Sequence, residues 1–221
     1  MISVTVLVVA KAPVPGQAKT RLASAVGPSA AADIAAAALL DTLDAVAAAP
    51  VSSRVVALTG RLEAASRGAE LRDRLSGFTV IEQRGVDFAD RLACAHADAA
   101  AACGPQPVLQ IGMDTPQVSS ELLVRCAQAL QRAPAVLGMA TDGGWWVLGV
   151  RSSSMAGVLR GLPMSRPDTG ALTLEALRDT GGDVVLVEEL RDVDTIDDIC
   201  AVRSMCAPDS RFARAVRAAG V

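Results

Sequence analysis

The chain has 221 residues, of which 51% are hydrophobic and 2% aromatic, and its formal net charge at pH 7 is -3. We expect one domain over residues 1–221, because two domains of half this length would each have a small core. The acidic charge and the scarcity of stacking rings argue against a nucleic-acid partner. Five scattered cysteines without C-x-x-C spacing, and an apolar amino-terminal run without a basic segment, predict reduced thiols in a cytoplasmic protein with no membrane partner.

Short apolar runs alternate with alanine-rich helical stretches, which is typical of a mostly parallel sheet with helices on both faces. The predicted strands are Ile2–Val9, Arg54–Thr59, Thr79–Glu82, Val108–Ile111, Val136–Ala140, Trp145–Val150 and Val184–Val187. The predicted helices are Ser29–Ala48, Leu62–Leu75, Phe88–Ala102, Ser119–Arg132, Gly170–Asp179 and Thr195–Cys206, with a last one near the carboxyl terminus. Only four residues separate the fifth strand from the sixth, so we expect an antiparallel element there within an otherwise parallel sheet.

The loop after the first strand is the first candidate site. It carries three cations, Lys11, Lys19 and Arg21, called the loop cations below, and with Pro13 and Gly16 they are the candidate phosphate-binding residues of this loop. Ligands of open α/β sheets bind beyond the carboxyl ends of the strands, so this loop predicts a phosphate site. It is not a P-loop, because Pro13 stands where the first glycine should be, and the chain has no G-x-G-x-x-G. The alternative is a solvated loop stiffened by its prolines.

The second candidate is Asp114, which follows the apolar strand Val108–Ile111 and precedes Pro116. A carboxylate at this edge of the sheet suits a hard cation such as Mg²⁺ or Mn²⁺. The alternative role is a turn or a helix cap, since aspartate and threonine often bind free backbone N–H groups.

Asp192 and Asp194 form the third candidate. In an extended segment, residues two apart point to the same side, while Val193 between them points to the other. Two like charges held together gain from a cation between them, so the pair predicts further metal ligands.

The fourth candidate is the turn Asp142-Gly143-Gly144, followed by Trp145 and Trp146. Two glycines allow a ligand to approach the backbone closely, and Asp142 is placed to hold an acceptor hydroxyl or act as its base. One tryptophan is expected to line a pocket while its neighbour packs in the core. The alternative is an ordinary Asp-Gly turn.

Other charged residues are given structural roles. Asp197 and Asp198 are excluded from the site, because Thr195 with Asp198 fits a capping box. His96, the single histidine, is expected to have a packing or helix-surface role, and Arg91 is expected to make a local ion pair near a helix start.

These four segments together resemble a known family. Lys11–Leu22, Gly112–Pro116, Asp142–Gly149 and Asp192–Thr195 are similar to the motifs of the radical-SAM/selenodomain-associated glycosyltransferase-like family, once catalogued as a domain of unknown function. It is a branch of the GT-A nucleotide-diphospho-sugar transferase superfamily. The resemblance spans about residues 2–200. This chain has Asp-Gly-Gly-Trp where the family usually has Asp-Gly-Gly-Tyr, and Gly-Met-Asp for its usual Gly-Ser-Asp.

The resemblance implies a Rossmann-like three-layer α/β/α sandwich of the GT-A type with a mixed, mostly parallel sheet. It places the loop cations near nucleotide phosphates, Asp114 at the metal, and Asp192 or Asp194 as the second carboxylate. The implied activity is a Mg²⁺- or Mn²⁺-dependent glycosyl transfer from a nucleotide sugar to a small-molecule acceptor, with Asp142 positioning or deprotonating the acceptor.

Two other functions stay open at this point. One is nucleotidyl transfer, in which a phosphate or carboxylate attacks a nucleoside triphosphate and pyrophosphate leaves. The chain looks distantly like the guanylyltransferases that activate phospholactate or phosphoenolpyruvate, but its first loop lacks the Gly-x-Gly of standard sugar-nucleotide pyrophosphorylases. The other is a non-catalytic nucleotide-binding protein, which predicts binding without turnover and an Asp142 that is turned away or capped. The sequence does not indicate the base, the sugar, the acceptor or the oligomeric state.

Overall fold

A computed structural model describes all of residues 1–221 and contains one seven-stranded sheet. The strands are β1 Ile2–Lys11, β2 Val51–Thr59, β3 Thr79–Glu82, β4 Val108–Ile111, β5 Ala135–Ala140, β6 Trp145–Val150 and β7 Val184–Leu190. Their order is β3-β2-β1-β4-β6-β5-β7, and β6 runs antiparallel to both of its neighbours while the other pairs are parallel. The mixed, mostly parallel sheet is therefore confirmed, as is the antiparallel element at the short connection.

Eight α-helices surround the sheet. They are α1 Thr20–Val26, α2 Pro28–Ala48, α3 Gly68–Leu75, α4 Phe88–Cys103, α5 Ser120–Arg132, α6 Thr169–Asp179, α7 Ile196–Met205 and α8 Arg211–Ala218. Two 3₁₀ segments, Leu62–Ala64 and Ser153–Leu159, complete the set. No helix combines the length and the apolar character that crossing a bilayer requires.

β1 shows why three layers form. Alternate residues of its valine-rich run point to opposite faces of the sheet, and both faces are buried. Val6 and Val8 face the main core with α2, α3 and α5 residues, whereas Leu7 packs with Ala95 and Ala99 of α4. A separate outer cluster joins α1 and α2 to α7 and α8. These contacts confirm the predicted α/β/α sandwich.

Two predicted elements are wrong in detail. The helix predicted over Leu62–Leu75 is broken, because Arg67 takes a left-handed conformation with φ of 52° between the 3₁₀ segment and α3. Gly68 packs so tightly there that an added Cβ would lie 2.0 Å from the Leu62 carbonyl oxygen. The first loop was also predicted without a helix, yet its last part forms α1. The capping box of Thr195 and Asp198 is present at the start of α7, as predicted.

The strand order creates a switch point at β1. The chain leaves β1 to form β2 on one side and later returns to form β4 on the other. Connections that leave in opposite directions open a crevice beyond the carboxyl ends of two such strands, where ligands of open α/β sheets bind.

Candidate active site

A cleft of about 760 Å³ opens beyond the carboxyl ends of β1 and β4. Its other borders are the start of β6, the residues after β7, the first turn of α4, and the segment 164–167 before α6. A smaller pocket of about 240 Å³ adjoins it. The two share five lining residues, namely Lys11, Arg21, Met113, Asp114 and Asp194, so they form one continuous depression.

The first loop folds back so that its cations face this depression. Backbone N–H groups of Gln17 and Ala18 both donate to the Val14 carbonyl, and Ala18 is buried. Lys11 Nζ donates to the Gln17 carbonyl at 2.9 Å. Lys19 precedes α1 in a left-handed conformation, with φ of 48° and ψ of 50°, which is uncommon for a residue other than glycine. Such strain persists where the surrounding structure imposes it, and it often marks a functional site.

Lys19 joins two of the candidate carboxylates. Its Nζ lies 2.9 Å from Asp114 Oδ1 and 2.6 Å from Asp194 Oδ1, and only 10% of the lysine side chain is exposed. Burial by itself lowers the pKa of Lys19, but the charges of Asp114 and Asp194 and their hydrogen bonds outweigh it, so the pKa lies above its ordinary value. Lys19 is therefore a permanent cation in this site. Arg21 makes a looser contact, 3.7 Å from Asp194 Oδ2.

A backbone hydrogen bond holds the third candidate segment beside the second. The Val193 N–H donates to the Asp114 carbonyl at 2.9 Å, and the Val193 side chain is buried in the outer cluster. Asp192 and Asp194 consequently both face the cleft, which confirms the predicted alternation. Asp198 fixes the far end of the segment by accepting from the N–H groups of Asp194 and Thr195.

Asp192 lies in a crowded acidic environment. Burial, followed by the like charges of Asp142 and Asp194, raises its pKa to about 6. Asp142 comes from the glycine turn and Asp192 and Asp194 from the segment after β7, and Lys19 is the cation that opposes this rise. The cleft thus concentrates negative charge at one end of its floor.

The glycine turn between β5 and β6 orients Asp142. Asp142 Oδ1 accepts from the Gly144 N–H at 2.8 Å, and both residues line the cleft. Gly143 does not line it. The φ of Gly143 is 90°, and an added Cβ would lie 1.9 Å from the Pro167 carbonyl oxygen, so this glycine is required for packing against the segment before α6. Pro13 and Gly16 also lie outside the lining of both pockets.

The two tryptophans divide as predicted. Trp146 is buried in the main core, and its Nε1 donates to the Glu188 carbonyl at 2.8 Å. Trp145 is half-buried at the rim. Both contribute to the cleft wall beside Asp142.

Several cleft residues were missed by sequence reasoning. Arg91 was expected in a local ion pair, but the structure gives it no ion pair: its guanidinium lies 5.7 Å from the Phe88 ring and lines the cleft. Its neighbour Asp90 pairs with Arg160 instead, at 2.7 Å. Gln83 also lines the cleft, held by its Nε2, which donates to two backbone carbonyls. Only the tertiary fold brings these residues to the site, and no local motif marks them.

His96 lies inside the protein, as a packing role requires. It is fully buried on α4, and neither ring nitrogen has a hydrogen-bond partner. Burial lowers its pKa to about 4, with the Gln110 amide acting in the opposite direction, so the ring is neutral at pH 7. Histidine catalysis has no support at this site.

The side chains of Asp114, Asp192 and Asp194 offer ligand atoms of the kind that a divalent cation binds. They are carboxylate oxygens, which Mg²⁺ and Mn²⁺ prefer, and the buried Asp114 Oδ1 has no hydrogen-bond partner apart from the ammonium beside it. As the side chains stand, no group of three or more acidic, histidine or cysteine residues is close enough to hold a metal. Lys19 occupies the position between Asp114 and Asp194. The predicted triad of Asp114, Asp192 and Asp194 is thus present at one end of the cleft but is not assembled around a single point.

The fold and the position of the cleft define the class of protein as the GT-A nucleotide-diphospho-sugar transferase superfamily, as the sequence resemblance predicts. The chain belongs to the family of uncharacterized proteins conserved in bacteria (DUF2064), whose model matches residues 42–166. Asp114 and Asp142 lie within the matched residues, whereas the first loop and the Asp192 segment lie outside them. No curated protein matches the chain.

Solved structures extend this comparison to the whole chain. A protein of Desulfovibrio desulfuricans G20, assigned as a nucleotide-diphospho-sugar transferase, is 26% identical over 99% of this chain and 95% of its own, with a TM-score of 0.87. A cytidylyltransferase from Leptospira borgpetersenii serovar Hardjo-bovis is 14% identical over 99% and 94%, with a TM-score of 0.59. Rv0371c of Mycobacterium tuberculosis H37Rv, solved in complex with manganese, is 20% identical over 90% and 97%, with a TM-score of 0.55. The last two show the fold alone.

Proposed function

We propose that the protein transfers a glycosyl group from a nucleotide-diphosphate sugar to a small-molecule acceptor. The observation that carries this proposal is the arrangement at the switch point, where the loop cations line one depression together with Asp114 and Asp194, and Lys19 forms ion pairs with both carboxylates. A diphosphate placed there meets positive charge from the loop. The chain is similar along nearly its full length to a protein assigned as a nucleotide-diphospho-sugar transferase, and this similarity supports the same reaction type.

Each part of the site has a separate task in this proposal. The loop cations bind the diphosphate and stabilise the negative charge that develops as it leaves. Asp114 and one or both of Asp192 and Asp194 would hold Mg²⁺ or Mn²⁺. A divalent cation bound there would neutralise part of the leaving diphosphate's charge. Trp145 and Trp146 line the cleft beside the glycine turn, where they would provide an apolar wall for the acceptor.

Asp142 is the proposed acceptor-side group. Its Oδ1 accepts from the Gly144 N–H, so Oδ2 is the oxygen with more free capacity to accept the proton of an acceptor hydroxyl. This contact holds the carboxylate at the cleft wall in one orientation. The residue therefore combines the turn role and the functional role that the sequence left as alternatives.

The hydrogen bond that engages Asp142 Oδ1 keeps nucleotidyl transfer as a second candidate. A phosphate or carboxylate acceptor is already an anion and needs no base, which is compatible with an Asp142 that has one oxygen engaged. In that reaction the acceptor attacks the α-phosphate of a nucleoside triphosphate, and pyrophosphate leaves. Release of pyrophosphate from each triphosphate, measured beside release of nucleoside diphosphate from each nucleotide sugar, separates the two reactions. Binding without either product would leave the non-catalytic alternative.

The first test is thermal unfolding with a panel of nucleoside di- and triphosphates and nucleotide sugars, with and without Mg²⁺ or Mn²⁺. A ligand at about 100 times its dissociation constant adds about 2.7 kcal/mol of stability and raises Tm by several degrees. We expect Asp114→Asn to abolish the metal-dependent part of the shift. The matched control is Asp179→Asn, an exposed position at the end of α6. A folded wild-type protein that no member of the panel stabilises at millimolar concentration contradicts the proposal.

A further inference from the structure

The two lysines of the chain, Lys11 and Lys19, both lie in the first loop, yet their environments differ sharply. Lys11 is exposed and donates only to a backbone carbonyl of its own loop. Lys19 is nearly buried and lies within ion-pair distance of two carboxylates, Asp114 after β4 and Asp194 after β7. The two ammonium groups thus have different partners, a backbone carbonyl for Lys11 and two carboxylates for Lys19.

The ammonium of Lys19 occupies the place where a cation would be shared by Asp114 and Asp194. Its Nζ is 2.9 Å and 2.6 Å from one oxygen of each carboxylate, and Asp114 Oδ1 is sealed from solvent behind it. A divalent cation bound by the same two residues would be only a few ångströms from this ammonium. Repulsion between like charges at that distance is strong in a partly buried site, so the two cations compete.

The same ammonium is the most deeply held cation of the phosphate-binding loop. While both carboxylates hold it, only 10% of its side chain is exposed, and little of its charge is available to a phosphate in the cleft. Lys19 also lines the smaller pocket, so a short rotation of its flexible chain exchanges the carboxylates for an anion there. That movement would leave Asp114 without its counter-charge and Asp194 with only the looser contact of Arg21, and a divalent cation would then compensate both carboxylates.

We infer that Lys19 keeps divalent cations from Asp114 and Asp194 until a phosphate-bearing ligand draws its ammonium away, so that phosphate and metal bind cooperatively. This inference rests on the proposed function for the identity of the phosphate ligand. By linkage, the phosphate ligand strengthens metal binding by the same factor by which the metal strengthens binding of the phosphate ligand. The protein without ligand is then expected to bind metal weakly.

The test is a titration of the protein alone with Mn²⁺, followed by electron paramagnetic resonance of the free ion. We expect Lys19→Met to bind Mn²⁺ tighter than the wild type by on the order of tenfold or more, because the competing charge is gone. The matched control is Arg125→Met, which removes one positive charge and the ion pair with Glu188. Arg125 lies outside the cleft, so this variant should leave the Mn²⁺ affinity unchanged. Asp114→Asn in the Lys19→Met background should return the affinity to the weak wild-type value. Equal Mn²⁺ affinity for the wild type and a folded Lys19→Met would overturn the inference.

A second measurement uses the wild type and does not depend on the folding of a variant. Protein labelled with ¹⁵N only at lysine Nζ has two side-chain signals, and inorganic pyrophosphate is the probe. We expect pyrophosphate to shift the Lys19 signal. We also expect it to increase the affinity of the protein for Mn²⁺, after correction for the Mn²⁺ that free pyrophosphate binds in solution. A Lys11 signal that shifts beside an unchanged Lys19 signal would overturn the exchange, while leaving the proposed function intact. If neither signal moves at millimolar pyrophosphate, the phosphate-binding loop on which both proposals rest is refuted.

Discussion

Gly143→Ala tests whether the turn that carries Asp142 is held by close packing. Two costs add at this position. The φ of 90° is unfavourable for any residue with a Cβ, and that Cβ would lie 1.9 Å from the Pro167 carbonyl oxygen and 2.5 Å from its carbon. To restore a normal contact, the segment before α6 must move by more than an ångström. This movement would also break the hydrogen bond from the Gly170 N–H to the Gly143 carbonyl, now 2.8 Å long.

The magnitude follows from separating the two costs. A left-handed alanine costs about 1–2 kcal/mol, and forcing backbone apart in a packed region costs about 1–3 kcal/mol more. We therefore expect Gly143→Ala to lower the free energy of unfolding by about 2–5 kcal/mol, measured by urea denaturation with a common m-value. The control is Gly161→Ala, where φ is 87° but nothing lies within 4 Å of the added Cβ, so only the first cost applies. If the two variants lose the same stability within about 0.5 kcal/mol, the packing argument fails.

Three further predictions concern groups outside the cleft. First, His96 is neutral in the folded protein because burial lowers its pKa to about 4 from 6.5, so the unfolded chain takes up a proton that the folded one does not. The free energy of unfolding should therefore be unaffected by His96 above pH 6.5 and fall by roughly 3 kcal/mol as pH drops toward 4. The measurement is the difference between wild type and His96→Gln across this range, and parallel curves would contradict it. Second, Cys200 is exposed, whereas burial raises the pKa of Cys126 to about 12. A thiol reagent at pH 8 should therefore modify Cys200 before Cys126, measured by mass spectrometry of the digested protein. Equal rates of modification would refute this. Third, Asp198→Ala removes the capping box of α7 and should cost about 1–2 kcal/mol in thermal or urea unfolding, whereas Asp197→Ala, which lacks that contact, should cost less.

Much of the fold could be predicted from local patterns alone. Apolar runs buried on both faces, such as β1, differ in length and composition from the alanine-rich helices between them, and this alternation determines a three-layer sandwich. The four residues between β5 and β6 are too few for a crossover, so the antiparallel pair followed from connection length. The break at Arg67 could not be predicted, because it depends on a contact of Gly68 with the Leu62 backbone that composition does not reveal.

The candidate site was predictable where its residues follow strands. Asp114 comes directly after β4, and the alternation of Asp192, Val193 and Asp194 places two carboxylates on one side, so strand geometry was sufficient. For Gly143 the sequence predicted close approach of a ligand to the backbone, but this residue lies outside the cleft lining. A glycine is needed there because a Cβ at this position would clash with the Pro167 backbone.

The sequence by itself determined the class of fold, the loop with its three cations, and the aspartates that the sheet edge collects, because each depends on periodicity or on position relative to a strand. Only the tertiary structure decided which of these groups pair. It placed the ammonium of Lys19 between Asp114 and Asp194 and brought Arg91 to the cleft wall. Lys19 and Asp194 are 175 residues apart in the chain. Pairing at such separation depends on the three-dimensional path of every element between the partners, and no local pattern records that path.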